Sequence, residues 1–309
     1  GPRGGEPRDL AGLAAAVRAA CEEVGFFVVV DHGVDAALLE RQRRECAAFF
    51  ARPPQSLVLG MVPGGSSRFA WLDYVPDASV ESGGGEAAAW SLGPVAGRGS
   101  QPWRPDTASL AETWAEYYGA MERLVALLMS LFAVALGLSC EAFDAALEGH
   151  RSSMRAILYH EVSAEELEAC GGEVVRSPEH TDWGCVTVLL PDGEVGGLEI
   201  RGKDGTWLPL QPAPGSLVVN LGDLLPWWTG GRWVATPHRV VARPESRRPR
   251  LSVPYFGLVN RSTVLRPLLP GPAAGSAEAP LDADQAITAG EFFDRHEELS
   301  ERRRARVRP

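Results

Sequence analysis

The sequence predicts a mainly β-sheet protein, an all-β barrel or jelly roll, with helices packed around it. Short apolar runs broken by Gly, Pro and Asp turns follow one another between residues 180 and 257. Helical periodicity dominates the preceding part and returns after residue 288. We therefore expect a single domain, residues 1–309. It would consist of a mainly helical part (1–150), a jelly-roll core (151–288) and a C-terminal helix (289–309).

The bulk composition limits the possible partners. The chain has 309 residues, 45% of them hydrophobic, a formal net charge of −10 and a pI near 5.2. This acidity argues against nucleic acid or an anionic membrane as the main partner. Five scattered cysteines, never in a C-x-x-C pair, suit reduced thiols. We expect a cytoplasmic protein, without a signal peptide or a membrane span.

The first elements alternate between helix and strand. Apolar spacing predicts a helix over residues 9–24, ended by Gly25, and a second helix over residues 35–50. The run FFVVV between them is typical of a buried strand. His32 directly follows that strand and precedes a glycine, so we interpret it as a structural hydrogen-bonding residue and not as a metal ligand.

A long segment rich in Gly, Ser and Pro follows, over residues 57–106. Structureless connections of this length are uncommon in compact domains unless they serve as lids or binding loops. The aromatic residues within it have to pack against either the core or a ligand, and they are candidates for substrate contact: Trp71, Tyr74 and Trp90.

The remaining helical part is dominated by one long apolar pattern. Residues 110–136 predict a helix that is apolar on most sides and so packs against a sheet. Its Glu, Arg and Tyr residues argue against a membrane span. Residues 154–159 predict a strand, and residues 164–169 predict a short solvated helix.

One motif in the strand-rich part points to a metal. His180 and Asp182 are two residues apart, so in an extended backbone their side chains project to the same side. His238, in TPHRV, is a candidate for a third ligand. Two histidines and one carboxylate on one face of an ion leave positions open, which is the pattern of non-haem Fe(II) oxygenases. Zinc accepts the same ligand types, so these residues alone leave the metal open.

Several separated segments together identify a family. They are GFFVVVDHGV, QPWRPD, HTDWGCVTVLL, VGGLEIRGKDGTWLPLQPAPGSLVVNLGDLL, TGGRWVATPHRVV and RPRLSVPYF. In this order the chain resembles the isopenicillin N synthase-like, plant-type branch of the Fe(II)/2-oxoglutarate-dependent dioxygenases. The resemblance implies a double-stranded β-helix core with iron inside its open end, bound by His180, Asp182 and His238.

The resemblance also implies a cosubstrate site. Arg250 and Ser252 match the pair that binds the far carboxylate of 2-oxoglutarate, and strand alternation puts both on one face. Tyr159 matches a tyrosine that reaches the same molecule. The chain departs from many plant-type members nearby, because Ile157 stands where they carry Asn and His160 replaces a common Pro.

Other matched positions are open to two interpretations. Phe256 and Trp183 either face the organic substrate or fill the core. Trp227 and Trp228 either line the pocket or pack at the surface. We interpret the stretch from Asn220 to Asp223 as structural turn chemistry.

The implied activity is oxidation of a C–H bond of a small molecule with Fe(II), 2-oxoglutarate and O2. Hydroxylation is the default outcome; desaturation, epoxidation and cyclisation need the same ligands. The composition suits bacterial natural-product biosynthesis. Three alternatives remain open at this stage: an Fe(II) oxidase that does not use 2-oxoglutarate, a non-catalytic binder, and a zinc hydrolase. The last would have no need of Arg250 and Ser252.

Overall fold

The computed structural model describes residues 10–52, 107–193, 195–268, 287–296 and 298, and the backbone of residues 72–73 and 89–96. The helices are α1 (Leu10–Glu23), α2 (Ala36–Phe50), α3 (Ala108–Ala135), α4 (Asp144–Leu147), α5 (Ala164–Ala169) and α6 (Leu224–Trp228). The strands up to the metal motif are β1 (Phe26–Val29), β2 (Leu72–Asp73), β3 (Ala89–Ala96), β4 (Ser153–Tyr159) and β5 (Val174–His180). Those after it are β6 (Val186–Leu190), β7 (Leu198–Arg201), β8 (Trp207–Pro209), β9 (Leu217–Leu221), β10 (His238–Ala242), β11 (Arg250–Gly257), β12 (Val264–Leu265) and β13 (Ile287–Thr288). Residues 289–296 are helical.

In the described part of the chain the strands form two large antiparallel sheets and one two-stranded sheet, which consists of β12 and β13. The larger sheet has the order β1-β9-β6-β11-β4-β3-β2, and the smaller has the order β5-β10-β7-β8. From β4 to β11 the chain crosses repeatedly from one sheet to the other, except that β7 and β8 follow one another within the smaller sheet. The jelly-roll prediction is confirmed: this is a double-stranded β-helix with helices packed outside it.

The two faces of the larger sheet have different roles. On β6, Val186, Val188 and Leu190 point outward into the core that the sheet shares with the helices. The intervening residues of each strand point inward, toward the smaller sheet, because side chains alternate along a strand. Tyr159 of the larger sheet packs there against Leu198 and Val240 of the smaller one. The space between the sheets is therefore where a ligand site can be built.

Helix α3 lies at the centre of the core between the larger sheet and the helices, which we call the outer core. Its length and composition meet the criteria for a membrane-spanning helix, with an 18-residue window of mean hydropathy 1.5. The expectation that its Glu, Arg and Tyr residues argue against a membrane span was therefore wrong on composition. Its burial is that of a core helix. In that window 61% is buried inside the protein, and Tyr117, Met121 and Phe132 are fully buried in the core.

Strand β1 differs from the prediction of a buried strand. Phe26 is buried, but Val28 and Val30 are 38% and 61% exposed. The reason is position: among the described strands β1 pairs with β9 alone and forms an edge of the larger sheet, so one face is partly open. The apolar run alone does not distinguish an edge strand from a central one.

Part of the predicted lid-like loop is β structure. Strand β3 pairs with β4 and β2 pairs with β3, so the segment extends the larger sheet. Trp90 lies in β3 opposite Leu158, and its side chain is outside the described part of the structure. Trp71 and Tyr74 lie wholly outside the described residues.

Two smaller predictions are confirmed. The Nδ1 atom of His32 accepts a hydrogen bond from the Val34 amide at 3.1 Å, and its Nε2 lies 3.0 Å from the Gly215 carbonyl oxygen. His32 thus bridges the end of β1 and the turn before β9, as a structural residue would. All five cysteines are free, with Cys21, Cys46 and Cys185 buried.

Candidate metal and cosubstrate site

The structure brings the three predicted metal ligands together. One ligand atom each of His180, Asp182 and His238 lies within 4.8 Å of the others. His180 ends β5 and His238 begins β10, and the two residues are paired in register. Their rings are 4.2 Å apart between centroids. Small side-chain rotations would let one ion contact all three residues.

Both imidazoles have the same nitrogen engaged by backbone. Nδ1 of His180 lies 2.8 Å from the Pro178 carbonyl oxygen, and Nδ1 of His238 lies 3.3 Å from that of Thr236. A carbonyl only accepts, so each Nδ1 donates and carries the proton. In an imidazole whose single proton is on Nδ1, the lone pair is on Nε2, and backbone contacts of this kind orient histidine ligands in metal sites.

Two buried side chains hold the carboxylate. Thr187 Oγ1 and Asn220 Nδ2 both donate to Oδ2 of Asp182, at 2.6 and 2.7 Å. The interpretation of Asn220 as turn chemistry was therefore incomplete, because this residue fixes the predicted iron ligand. The signal available in the sequence was the polar Asn220 at the end of the apolar residues LVV. Thr187 gave none, because threonine is common in strands.

The electrostatics of the triad favour metal binding. Burial raises the pKa of Asp182, but His238, His180 and the two hydrogen bonds outweigh it, so this pKa lies below its usual range. Burial lowers the pKa of His238 to about 4. At neutral pH the site therefore offers one carboxylate and a neutral His238, which are the protonation states that a divalent ion requires.

The backbone around Asp182 is closely packed. The Asp223 amide donates to the Asp182 carbonyl oxygen at 2.7 Å, and the Thr181 hydroxyl donates to the Asp223 carboxylate at 3.1 Å. A Cβ atom on Gly222 would lie 2.3 Å from the Gly184 carbonyl oxygen. The turn after β9 thus lies directly against the loop that carries Asp182, and only glycine fits there.

The predicted cosubstrate residues lie together on the inner face of the larger sheet. Arg250 and Ser252 are both buried, 2% and 4% exposed, and the guanidinium Nη1 hydrogen-bonds the Ser252 hydroxyl. Arg250 is paired with Tyr159 across β11 and β4, and its guanidinium carbon is 5.8 Å from the centre of that ring. Among the described residues, Nε of Arg250 has no hydrogen-bond partner. A buried cation with an unused donor fits the carboxylate of a 2-oxo acid.

A second buried arginine, which sequence reasoning missed, lies beside the first. Arg176 on β5 is fully buried and donates to the backbone carbonyls of Ser246, His160, Arg247 and Arg248 at 2.7–3.0 Å. Burial, and then the charge of Arg250, lowers the pKa of Arg176 to about 10. It fixes the turn from which β11 begins. Arg247, in the same turn, is partly exposed and pairs with exposed Glu161 at 3.0 Å.

Ile157, where many relatives carry Asn, lies opposite Ser252 on the inner face. It packs in the small cluster that joins the two sheets. It offers no polar atom to a ligand, so any polar contact from β4 to the cosubstrate has to come from another residue of that strand. His160 lies just beyond the strand, and its carbonyl accepts from Arg176.

The substrate candidates separate into two groups. Phe256 is half-buried on the inner face, in register with Thr187. Trp183 is 38% exposed beside Asp182, and its ring is 5.7 Å from that of His296 in the C-terminal helix. Both therefore have surface available to a ligand. Trp227 and Trp228 are 4% and 3% exposed and belong to the outer core, so neither of the two readings offered for them was right.

The arrangement can hold a divalent ion and, farther along the same inner face, a dianionic chelator. Comparison with protein families gives the same result. Residues 152–258 match the 2OG-Fe(II) oxygenase superfamily, and residues 3–56 match the model described as non-haem dioxygenase in morphine synthesis N-terminal.

Three similar proteins illustrate the range of relatives. The 2-oxoglutarate-Fe(II) type oxidoreductase hxnY of Emericella nidulans is 32% identical over 79% of this chain and 73% of its own length. Validamycin A dioxygenase of Streptomyces hygroscopicus subsp. limoneus is 29% identical over 90% of this chain and 80% of its own. The crystal structure of a putative 2OG-Fe(II) oxygenase family protein from Caulobacter crescentus is 25% identical, with a TM-score of 0.77 over 94% of this chain and 95% of that one.

Proposed function

The chain belongs to the 2OG-Fe(II) oxygenase superfamily and is an Fe(II)- and 2-oxoglutarate-dependent dioxygenase, and we propose that it hydroxylates an unactivated C–H bond of a small molecule. The observation that carries the proposal is the cluster of His180, Asp182 and His238 on the same inner surface as a buried Arg250. The first provides a metal site with open positions, and the second provides a counter-charge for the cosubstrate.

The metal would be bound through Nε2 of His180, Nε2 of His238 and one carboxylate oxygen of Asp182. Fe(II), together with 2-oxoglutarate and O2, supplies the oxidant that removes hydrogen from the substrate. The chain's own part begins with ligand orientation: backbone carbonyls fix both rings, and Thr187 and Asn220 fix the carboxylate. Such supporting contacts change metal affinity by about 10- to 100-fold in comparable sites.

The cosubstrate would be anchored at its far carboxylate by Arg250 and Ser252. A guanidinium grips a carboxylate through two parallel bonds, and the serine hydroxyl adds a third. The Tyr159 ring lies against the same guanidinium and would complete the wall of that site. Because these residues are buried, the bound carboxylate is shielded from water, which strengthens its attraction to Arg250.

The organic substrate would enter on the side of Phe256 and Trp183. We also propose contacts from Trp71 and Tyr74, which flank β2 in the sequence, and from Trp90, which lies in β3. A role in bacterial natural-product biosynthesis, in the cytoplasm, is supported by the composition and by the similarity to the Streptomyces validamycin A dioxygenase. Desaturation, epoxidation or cyclisation would follow from a different placement of the substrate and not from different ligands.

An anaerobic titration tests the proposal. Fe(II) is added to the protein and then 2-oxoglutarate, and the visible charge-transfer band of the chelate is recorded. We expect the band in the wild-type protein and its loss, at the same 2-oxoglutarate concentration, in Arg250→Ala. Well-folded, iron-loaded protein that gives no band would favour an oxidase that does not use 2-oxoglutarate.

A further inference from the structure

The segment that precedes His238 is attached to the N-terminal part of the chain. Residues 21–26, where α1 ends and β1 begins, form a corner, which we call the α1–β1 corner. The Val234 amide donates to the Cys21 carbonyl oxygen at 3.0 Å, and the Thr236 hydroxyl donates to the Val24 carbonyl oxygen at 2.6 Å. An element some two hundred residues earlier in the chain therefore holds the backbone that leads into His238.

The α1–β1 corner approaches this segment closely because it contains a glycine. Gly25 has a φ of +67°, and a Cβ atom there would lie 2.1 Å from the Val234 carbonyl oxygen. The Gly25 carbonyl also accepts from the Leu221 amide at 2.9 Å, at the end of β9. The glycine that ends α1 thus lets the corner lie against both the segment before His238 and the strand that carries Asn220.

The corner also contacts His238 itself, through Phe26. The two rings are 5.3 Å apart between centroids with their planes at 72°, an edge-to-face contact. Phe26 is buried between the sheets with Ile200, which is the register partner of His238. On its own sheet Phe26 lies opposite Asn220, the residue that donates to Asp182. Phe26 is therefore next to one metal ligand and next to the residue that holds another.

The two histidines depend unequally on such support. Nδ1 of His180 is 2.8 Å from its carbonyl acceptor, while Nδ1 of His238 is 3.3 Å from the Thr236 carbonyl oxygen. Hydrogen bonds from N–H to oxygen are usually about 2.9 Å long, so the bond of His238 is the weaker of the two. The Thr236 hydroxyl holds the residue whose carbonyl makes that bond, and the Phe26 ring limits rotation of the imidazole.

We propose that the α1–β1 corner sets the orientation of His238, with Phe26 and Thr236 as positioning residues for the metal centre. The proposal rests on the proposed function, since it assumes that His238 binds the ion. Phe26 would keep the imidazole from turning, and Thr236 would keep the proton on Nδ1 so that Nε2 is available to the metal. The N-terminal part of the chain would thereby influence metal affinity by orienting a ligand.

The test has two measurements on the full-length protein. In the metal-free, 15N-labelled protein at about pH 8, where an imidazole is neutral, long-range 1H–15N spectra show which ring nitrogen carries the proton. The signals of His238 are assigned with a His238→Gln variant, and His180 serves as the internal reference. Competition with a chromogenic chelator then measures the affinity for Co(II), a spectroscopic substitute for Fe(II).

Two variants remove the two contacts separately. Thr236→Val removes the hydroxyl with little change in shape, and Phe26→Leu removes the ring. In both we expect the fraction of His238 with its proton on Nδ1 to fall and that of His180 to stay unchanged. Affinity for Co(II) should fall by about tenfold in each. Thr236 is only half-buried, so its variant remains available if Phe26→Leu does not fold.

Phe27→Leu is the matched control for the ring. It makes the same substitution one residue farther along β1, where the side chain packs in the outer core and its ring contacts Phe132. We expect this variant to unfold at a lower urea concentration than the wild-type protein. The proton position on His238 and the affinity for Co(II) should not change.

Three results would overturn the proposal. The first is a Co(II) affinity of Thr236→Val and Phe26→Leu equal to that of Phe27→Leu. The second is an equal change at His180 and His238, because it would show a general loosening of the sheets and not the loss of a specific contact. The third is a wild-type protein that binds no divalent ion. This third result alone would reject the proposed function itself, and the inference with it.

Discussion

Two arginines buried in the same β-helix, close enough for their charges to interact, are satisfied in opposite ways. The guanidinium of Arg176 donates to four backbone carbonyls. That of Arg250 donates to one serine hydroxyl. In both arginines Nε has no hydrogen-bond partner among the described residues, so the difference lies in the terminal nitrogens. Arg176 therefore completes a turn of the chain, while Arg250 still has donors for a ligand. The number of hydrogen bonds used by the protein itself separates a structural cation from a binding one.

The same contrast runs along β5, which contains both Arg176 and His180. Arg176 is fully buried and bonded to four backbone carbonyls, and His180, four residues later, is exposed with its Nδ1 bonded to a backbone carbonyl. Changes around Arg176 should therefore reduce stability, and changes around the triad or Arg250 should reduce ligand binding. Four measurements can test this division between residues that stabilise the fold and residues that bind ligands.

The largest effect is expected for Arg176→Met. The substitution leaves four backbone carbonyl groups, one in a buried contact and three in partly buried contacts, without this donor, so we expect the free energy of unfolding to fall by about 3–5 kcal/mol. Urea denaturation followed by circular dichroism measures this. A decrease below about 1 kcal/mol would show that the turn holds without Arg176 and would remove the contrast with Arg250.

Arg250→Met is expected to show the reverse pattern. Loss of a charge-assisted, buried contact should weaken 2-oxoglutarate binding by about 10- to 100-fold. The free energy of unfolding should change little or rise, because a buried charge with few partners costs stability. Anaerobic titration and urea denaturation of the same preparation test both parts. Strong destabilisation would reclassify Arg250 as structural.

Asn220→Ala should have an intermediate effect on the metal alone. It removes one of two hydrogen bonds to Asp182, and we expect metal affinity to fall by about tenfold. Competition with a chromogenic chelator measures the affinity. Thr187→Val is the matched variant, because it removes the other bond with little change in shape, and the two variants should behave alike. If only one of them lowered affinity, the carboxylate would be held mainly from that side.

The smallest effect is expected for the pH dependence of the free energy of unfolding in the metal-free protein. The pKa of His238 is lowered to about 4, so its contribution to stability is complete above its usual pKa of 6.5 and is lost as pH falls toward 4. Burial raises the pKa of Asp223 from 3.8 to about 6, so its contribution changes in the opposite direction over nearly the same range. In the wild-type protein the two should largely cancel.

In the Asp223→Asn variant the pH-dependent contribution of His238 to stability should no longer be cancelled. Between pH 6.5 and pH 4, the free energy of unfolding of this variant should fall more steeply than that of the wild-type protein. Thermal unfolding across that range, in the presence of a chelator, provides the comparison. Parallel curves would mean that one of the two shifts is absent.

Local sequence patterns predicted the elements whose cause is local. The helical spacing that defines α1, α2 and α3 and the turn residues between strands act within a few positions, so these elements were found. The joint motif also led to His180, Asp182 and His238, because family resemblance includes distant partners. The edge position of β1 and the strands β2 and β3 depend on pairing with remote segments, which periodicity does not report.

Contacts between distant residues account for the features of the site that were missed. Asn220 reaches Asp182 across 38 positions, and Trp183 meets His296 across 113. Arg176 is satisfied by carbonyls, which every residue possesses, so no pattern of side chains could have indicated them. Polar residues in an apolar strand were the available signal, and they indicate that a partner exists without identifying it.

The two hydrogen bonds to Asp182 end on the same oxygen, Oδ2. With that oxygen occupied, Oδ1 remains for an ion. The carboxylate cannot rotate to exchange its two oxygens, or chelate an ion through both of them, without breaking a buried contact. The residue would therefore be held as a monodentate ligand throughout turnover. The protein would then supply one ligand atom from each of three residues, and the remaining coordination positions of the ion would stay open for molecules that bind and leave.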